Sequence, residues 1–276
     1  MEKSADRLRI IEKIKQFEAE EKWDIDVEDD PPTIPLEPNM VDYLDKKLIN
    51  KIINKFANRQ AEKFYDNLLK EKKLIIKEVK GIENFSSVKG GAIVTCNHFN
   101  PFDIFAIQVI FREVYGRKRK LYKIIREGNY TNFPGFYGFL FRHCNTLPLS
   151  SNYETMKKFL HAVSVLLKRG EKIVIYPEQA MWWNYKKPRP LQDGAFNFAC
   201  TNKVPIIPLF ITMEDSDIVG EDGFFIQEYT MHFLPPIYAD ENLSKRENIK
   251  AMKEQNYNMW KQVYEETYKK PLTYKE

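Results

Sequence analysis

From residue 74 onward, short apolar runs alternate with longer segments whose apolar residues recur every three or four positions, and few folds satisfy that alternation. Leu74–Val79, Ala92–Cys96, Leu121–Ile125, Asn145–Leu149, Ile173–Tyr176 and Pro205–Met213 read as strands. Helical runs lie between them, notably Ile104–Tyr115 and Glu154–Lys168, where Met156, Phe159, Val163 and Leu166–Leu167 share a face. Strands joined by helices predict an α/β fold, a mostly parallel central sheet flanked by helices. Residues 224–237 are expected to add an antiparallel edge pair, and residues 246–268 a final helix carrying Met252, Met259, Val263 and Tyr264. With 276 residues, 43% of them apolar, the chain suits one large domain or a domain with a helical appendage.

The segment before residue 73 has a different texture. Residues 4–22 predict a helix capped by Ser4, with Leu8, Ile11, Ile14 and Phe17 on one face. Asp24, Asp26, Glu28, Asp29 and Asp30, followed by Pro31, Pro32, Pro35 and Pro38, interrupt it and read as a solvated acidic linker over 24–38. Residues 40–71 predict one long helix with Val41, Leu44, Leu48, Ile52, Phe56, Phe64 and Leu68 in a stripe and lysines opposite, a helix that packs on the core or lies on a membrane surface. The expected organisation is an N-terminal helical region over 1–72 and an α/β domain over 73–276.

No apolar stretch approaches the roughly 18–20 residues that span a bilayer. The first residues run directly into a charged amphipathic segment, so no signal peptide is expected. Cys96, Cys144 and Cys200 are widely spaced, form no metal pattern and fit a reducing compartment. A net charge of +4 gives little reason to expect a nucleic-acid partner.

The candidate chemistry begins at Asn97-His98-Phe99-Asn100-Pro101-Phe102-Asp103, where a buried strand ends and a helix begins. Ligands of open α/β sheets bind at such carboxyl ends. Asp103 lies five residues after His98 and can fold back onto its imidazole, fixing the tautomer and leaving the other nitrogen free to take a proton. As a bare pattern, Asn97 and Asp103 are equally readable as turn and cap residues. The other histidines, His143, His161 and His232, read as packed or exposed side chains. Tyr176-Pro177-Glu178-Gln179 ends another apolar run and places Glu178 on the same sheet edge as His98 if the strands are parallel. Asp193-Gly194-Ala195 and Val204-Pro205-Ile206-Ile207-Pro208 read as scaffold.

Together these blocks resemble the glycerolipid acyltransferase family, best known for the 1-acylglycerol-3-phosphate acyltransferases, over about residues 74–240. The family's N-H-x-x-x-x-D motif is matched by Asn97, His98 and Asp103. Its third motif, commonly F-P-E-G-T-R, is matched by Tyr176, Pro177 and Glu178 but not by Gln179, Ala180 and Met181. Pro134-Gly135-Phe136-Tyr137-Gly138 with Phe141-Arg142, Gly194-Ala195 and Val204–Pro208 are also similar to the family.

The resemblance implies direct acyl transfer from an acyl thioester, acyl-CoA or acyl-carrier protein, to a lipid acceptor in phospholipid biosynthesis. His98 is then general base and Asp103 its orienter, with no metal and no resident cofactor. Asn97, Glu178, Arg126, Lys186 and Lys187 are the expected substrate-binding residues. Trp182 and Trp183 are expected to line the acyl pocket or meet the lipid interface, ordinary burial being the alternative. The family's phosphate-holding arginines are absent. The second motif ends Leu147-Pro148-Leu149-Ser150-Ser151, and Met181 stands in the third. Either Lys186, Lys187 and Arg189 replace them, or the acceptor carries no glycerol phosphate. Arg117-Lys118-Arg119-Lys120, with Lys123 and Arg126, forms a basic cluster suited to coenzyme A phosphates, an acidic carrier or anionic lipid, or to solvent. The expected location is cytoplasmic, peripheral to the cytoplasmic membrane. The competing expectations are a soluble glycerol-3-phosphate acyltransferase using acyl-carrier protein and an inactive lipid-binding protein.

Overall fold

A computed structural model describes residues 2–29 and 32–274; Met1, the linker residues Asp30 and Pro31, Lys275 and Glu276 lie outside the described residues. The chain forms, in order, α1 (Ala5–Ala19), α2 (Leu48–Lys70), β1 (Ile75–Lys80), α3 (Ile82–Ser86), β2 (Ala92–Cys96), α4 (Asp103–Tyr115), β3 (Leu121–Ile125) and α5 (Glu127–Thr131). There follow α6 (Gly135–His143), β4 (Thr146–Pro148), α7 (Tyr153–Lys168), β5 (Lys172–Ile175), α8 (Gly194–Asn202), β6 (Ile206–Val219), β7 (Phe225–Phe233) and α9 (Lys245–Tyr268).

One seven-stranded sheet runs in the order β1-β7-β6-β2-β5-β3-β4. Strands β6, β2, β5, β3 and β4 are mutually parallel, and β7 is antiparallel to β6. The architecture is the expected mostly parallel α/β sheet. The expected edge position of residues 224–237 is corrected: β1 pairs in parallel with β7 and takes the edge itself.

The continuous apolar strands are explained by burial on both faces, with every residue of β2 and β5 buried. Alternate side chains point to opposite sides. Val94 and Val174 join α2, α3 and α4 in one core cluster, while Ile93 and Ile173 join α7, α8 and α9 in the other. Helix ends are marked locally. Asn152 accepts from the Glu154 and Thr155 N–H groups to start α7, and Ser244 forms a capping box with Glu247 at α9.

The N-terminal expectations change most. Ser4 precedes α1 but its side chain makes no cap, and the buried face is Ile10 and Ile14 while Leu8 is exposed. The long helix predicted over 40–71 begins only at Leu48; residues before it turn, with Asp45 in a left-handed conformation. Its buried stripe is Ala57, Ala61, Tyr65 and Leu68, so small residues set the close approach and Leu48, Ile49, Ile52 and Phe56 face outward.

The acidic linker is not a solvated connector. It is a strap laid along the α/β unit. Val27 and Leu36 are fully buried. The Leu36 N–H donates to Glu127 at 2.7 Å, and its carbonyl accepts from Ser150 at 3.0 Å and Thr155 at 2.8 Å. Tyr43 donates to the Pro148 carbonyl at 2.8 Å. Prolines suit this role because an extended strap outside the sheet needs few backbone donors.

Candidate active site

The central strand β2 ends at Cys96, and the next seven residues build the site. Asn97 is 3% exposed and is pinned to the neighbouring strand: its side-chain amide donates to the Ile211 carbonyl at 3.0 Å and accepts from the Ile211 N–H at 2.8 Å. The expected substrate role of Asn97 is therefore corrected to an anchor, since both ends of its amide are committed to β6.

Asn100 then turns the chain. Its side-chain oxygen accepts from the Phe102 N–H at 3.0 Å, an Asx turn, and its carbonyl accepts from the Asp103 N–H at 3.1 Å. That turn returns Asp103, the first residue of α4, to His98. His98 Nδ1 and Asp103 Oδ2 stand 2.8 Å apart, with Asp103 fully buried and the His98 side chain 24% exposed. A carboxylate in the first turn of a helix also faces the positive end of the helix dipole. Among the described residues His98 Nε2 has no hydrogen-bond partner.

Tyr176, which follows β5, completes the arrangement. Its ring stacks on the imidazole with centroids 4.0 Å apart, and its hydroxyl donates to Asp103 Oδ1 at 2.6 Å. Burial first, and then the Asp103 carboxylate, push the Tyr176 phenol well above its ordinary range, so it remains a donor. The Phe99 N–H gives Asp103 a further contact at 3.3 Å. Tyr176 was legible only as a motif residue. The signal for more was a phenol where the family pattern has phenylalanine, next to a buried carboxylate. Cys96, beneath the site, is a buried core thiol pushed up by burial and is not a nucleophile.

Glu178 and Arg189 form a buried ion pair at 2.9 Å, with side-chain exposures of 2% and 1%. Glu178 accepts from the His98 N–H at 3.1 Å and the Arg189 N–H at 2.8 Å. Arg189 donates to the carbonyls of Trp23 at 2.7 Å and His98 at 3.4 Å, and to that of Ala180. The pair grips both backbone groups of His98. The expected contact of Glu178 with substrate is corrected, because both of its oxygens are consumed inside the protein. Arg189 likewise does not stand free to hold a phosphate.

The loop after Glu178 keeps a shape that favours glycine. Gln179 has φ +66°, where a side chain costs roughly 1–2 kcal/mol. Trp182 is fully buried and Trp183 nearly so, against Ile10, Ile14 and Val27 of the N-terminal segment. Trp182 Nε1 donates to the Ile25 carbonyl at 2.8 Å, and Arg7 lies over the Trp183 ring at 4.8 Å. Both indoles are buried beneath α1, the burial given above as the alternative. Lys187 pairs with Glu18 at 2.5 Å, and Lys186 sits 5.8 Å from the Tyr268 ring centre. Lys187 is thus engaged with α1 and Lys186 with α9.

The basic cluster is divided by the sheet. Arg117–Lys120 precede β3, at the edge opposite His98, where Arg117 pairs with Glu62 and Lys120 with Asp45. Arg126 follows β3 and stands on the His98 edge, paired with Asp26 and donating to the Gln179 carbonyl at 2.9 Å. Beside it, burial would raise the Glu127 carboxyl, but donors from Leu36, Ser151 and Ser150 outweigh it and hold that carboxyl below its ordinary value. Asp26 and Glu127, which bind the strap to this edge, were not expected from sequence. Their partners are far away in the chain. No group of His, Cys, Asp or Glu suited to a metal occurs among the described residues.

An imidazole held by a buried carboxylate on one nitrogen and open on the other thus stands at the carboxyl edge of a parallel sheet. A family model described as Acyltransferase matches residues 77–212, which hold His98, Asp103, Tyr176, Glu178 and Arg189. Over that stretch the chain is similar to the acyltransferase family. No curated protein sequence matches it. Among solved structures, PlsC, the 1-acyl-sn-glycerophosphate (LPA) acyltransferase of Thermotoga maritima, aligns at 17% identity with a TM-score of 0.46, over 79% of this chain and 84% of that one.

Proposed function

We propose that the protein is an O-acyltransferase of the 1-acylglycerol-3-phosphate type, moving a fatty acyl group from acyl-CoA or acyl-carrier protein to a hydroxyl of a lysophospholipid-like or related acceptor. The observation that carries this reading is the His98 Nδ1–Asp103 Oδ2 contact of 2.8 Å with Nε2 left open. Asp103 holds the Nδ1–H tautomer, and Nε2 takes the acceptor hydroxyl proton as its oxygen attacks the thioester carbonyl. The tetrahedral adduct then expels the thiolate, which receives that proton from His98. A positioned base of this kind contributes about 10²–10⁴-fold. Tyr176 and the Phe99 N–H keep Asp103 in place, and the Glu178–Arg189 pair keeps the His98 backbone in place.

The protein works at the cytoplasmic face of a membrane as a peripheral enzyme. No described helix is long and apolar enough to cross a bilayer. Leu48, Ile49, Ile52 and Phe56 of α2 with Phe136 and Tyr137 of α6 form an exposed apolar face, with Lys47, Lys51 and Lys55 exposed on α2. That combination suits insertion among anionic headgroups. Phe64 links the face to the site through Phe136 at 5.4 Å and Phe102 at 6.4 Å.

The test is labelled acyl donor with a panel of acceptors and mass identification of the products. His98→Ala is expected to lower turnover by about 10²–10⁴-fold. Unchanged transfer by purified His98→Ala protein would sink the mechanism.

A further inference from the structure

Beyond α9 the chain turns back to the loop that carries Arg189. Lys269 closes α9 in a left-handed conformation, φ +54°, and Pro271 bars another helical turn. The Leu272 N–H donates to Glu265 at 2.9 Å, which lays this segment along α9. Tyr274 then meets the buried residue Pro188, and its hydroxyl donates to the Pro188 carbonyl at 2.5 Å. Among the described residues no other donor reaches that carbonyl. The Pro188 carbonyl and the Arg189 N–H belong to one peptide unit, which is planar and rigid. Glu178 accepts from that N–H at 2.8 Å, and its other oxygen accepts from the His98 N–H at 3.1 Å. Tyr274 and Glu178 therefore pin the same peptide plane from its two ends.

The hydrogen bonds have a fixed sense. A carbonyl only accepts, so the Tyr274 proton points at Pro188, and the Tyr257 hydroxyl of α9, 2.7 Å away, donates to Tyr274. Burial first, and then Tyr257, push the Tyr274 phenol above its ordinary range, so it stays a donor. The Tyr274 ring also lies against Trp23, with centroids 4.5 Å apart, and the Trp23 carbonyl accepts from the Arg189 guanidinium at 2.7 Å. Both the backbone and the side chain of Arg189 are thus held by groups that Tyr274 touches.

We propose that Tyr274 is a positioning residue for the base: it fixes the Pro188–Arg189 peptide and Trp23, and so sets where the Glu178–Arg189 pair holds the His98 backbone. The effect on rate rests on the acyl-transfer reading, and the effect on the His98 backbone does not. Tyr274→Phe keeps the ring against Trp23 and deletes the hydroxyl. The full-length wild type, Tyr274→Phe and Tyr257→Phe are compared on 1-acylglycerol 3-phosphate, and amide hydrogen exchange is followed at His98, at Arg189 and along α7. In Tyr274→Phe, kcat is expected to fall by about tenfold with KM within about twofold, the signature of a misplaced base and not of lost substrate contacts. Exchange at His98 and Arg189 is expected to quicken by roughly tenfold with α7 unchanged. Tyr257→Phe leaves the Tyr274–Pro188 contact in place and is expected to change each quantity by less than about threefold. Adding Tyr274→Phe to Arg189→Met is expected to lower kcat no further than Arg189→Met alone, because both act through one pair.

Unchanged exchange at His98 and Arg189 in Tyr274→Phe overturns the proposal. So does exchange that quickens equally along α7, which marks a loss of global stability alone. An active Tyr274→Phe enzyme with wild-type kcat, or a loss that adds in full to that of Arg189→Met, overturns it as well. A wild type without transfer, with faster exchange at His98 and Arg189 in Tyr274→Phe, removes the acyl-transfer reading and leaves the hold of Tyr274 on the His98 backbone standing.

Discussion

Removing the Arg189 guanidinium tests the claim that a buried pair, and not a substrate contact, occupies the centre of the third motif. Arg189→Met keeps much of the stem volume. It leaves Glu178 charged and 2% exposed, without its 2.9 Å partner, and frees the carbonyls of Trp23, Ala180 and His98. Breaking one member of such a pair costs about 3–5 kcal/mol. An unfolding entropy of about 2.1 cal/mol/K per residue, carried over the whole chain, converts that into a Tm lower by roughly 5–9 °C. His98 loses the clamp on its backbone, and misplacement of a base by about 1 Å costs on the order of 10²-fold in rate. The assay pairs a thermal melt with kcat/KM. Glu178→Gln/Arg189→Met is expected to recover part of the lost Tm, because neither partner is then left charged and alone. An Arg189→Met protein melting within about 2 °C of wild type at full activity would refute the clamp.

Tyr176→Phe keeps the ring stack and deletes the 2.6 Å hydrogen bond to Asp103, a charge-assisted contact of about 1.5–3 kcal/mol. Asp103 then loses one of the contacts that orient it, so kcat/KM is expected to fall by about tenfold with the fold kept, and an unchanged kcat/KM counts against the role. Glu127 is held below its ordinary value of 4.5, so its contribution is full above that pH and is lost as pH falls through its lower folded value. Strap release, read by tryptophan fluorescence, is expected in that acid window and in Glu127→Gln at neutral pH. His232 is pushed down to about 4 from 6.5 by burial first and Lys80 second. Its contribution is full above 6.5 and falls away toward pH 4 by up to about 3 kcal/mol, so His232→Gln is expected to flatten the stability profile between those values. Ile52→Ser/Phe56→Ser removes two side chains more than half exposed and is expected to weaken partition onto anionic vesicles by about 30- to 100-fold, with Tm unchanged.

The strands were legible because burial on both faces leaves uninterrupted apolar runs: Ala92–Cys96 and Leu121–Ile125 fall on the observed β2 and β3 boundaries. The His98–Asp103 contact was legible because it spans five residues and one Asx turn. The α2 face was misjudged because helical spacing marks apolar positions without saying which are covered, and Ala57 and Ala61 rather than Ile52 and Phe56 lie against the core. Glu178 was read as a substrate-binding carboxylate because the resemblance implies that role for the Glu of the third motif. Its burial depends on Arg189 and on a strap that begins more than a hundred and fifty residues earlier.

The sequence by itself determined the parallel α/β sheet, the turn that returns Asp103 to His98 and the absence of arginine from Ser150, Ser151 and Met181. These features depend on period, turn chemistry and residue identity within a few neighbours. Only the tertiary structure decided that the acidic linker is a strap, that Glu178 and Arg189 hold the His98 backbone, and that Asp26 meets Arg126. Those contacts join residues such as Leu36 with Glu127, 91 positions apart, and Arg189 with Trp23, 166 apart. No local preference encodes them. They form because folding brings unlike charges and unpaired backbone groups together along one sheet edge, where leaving them unpaired costs more than ordering the strap.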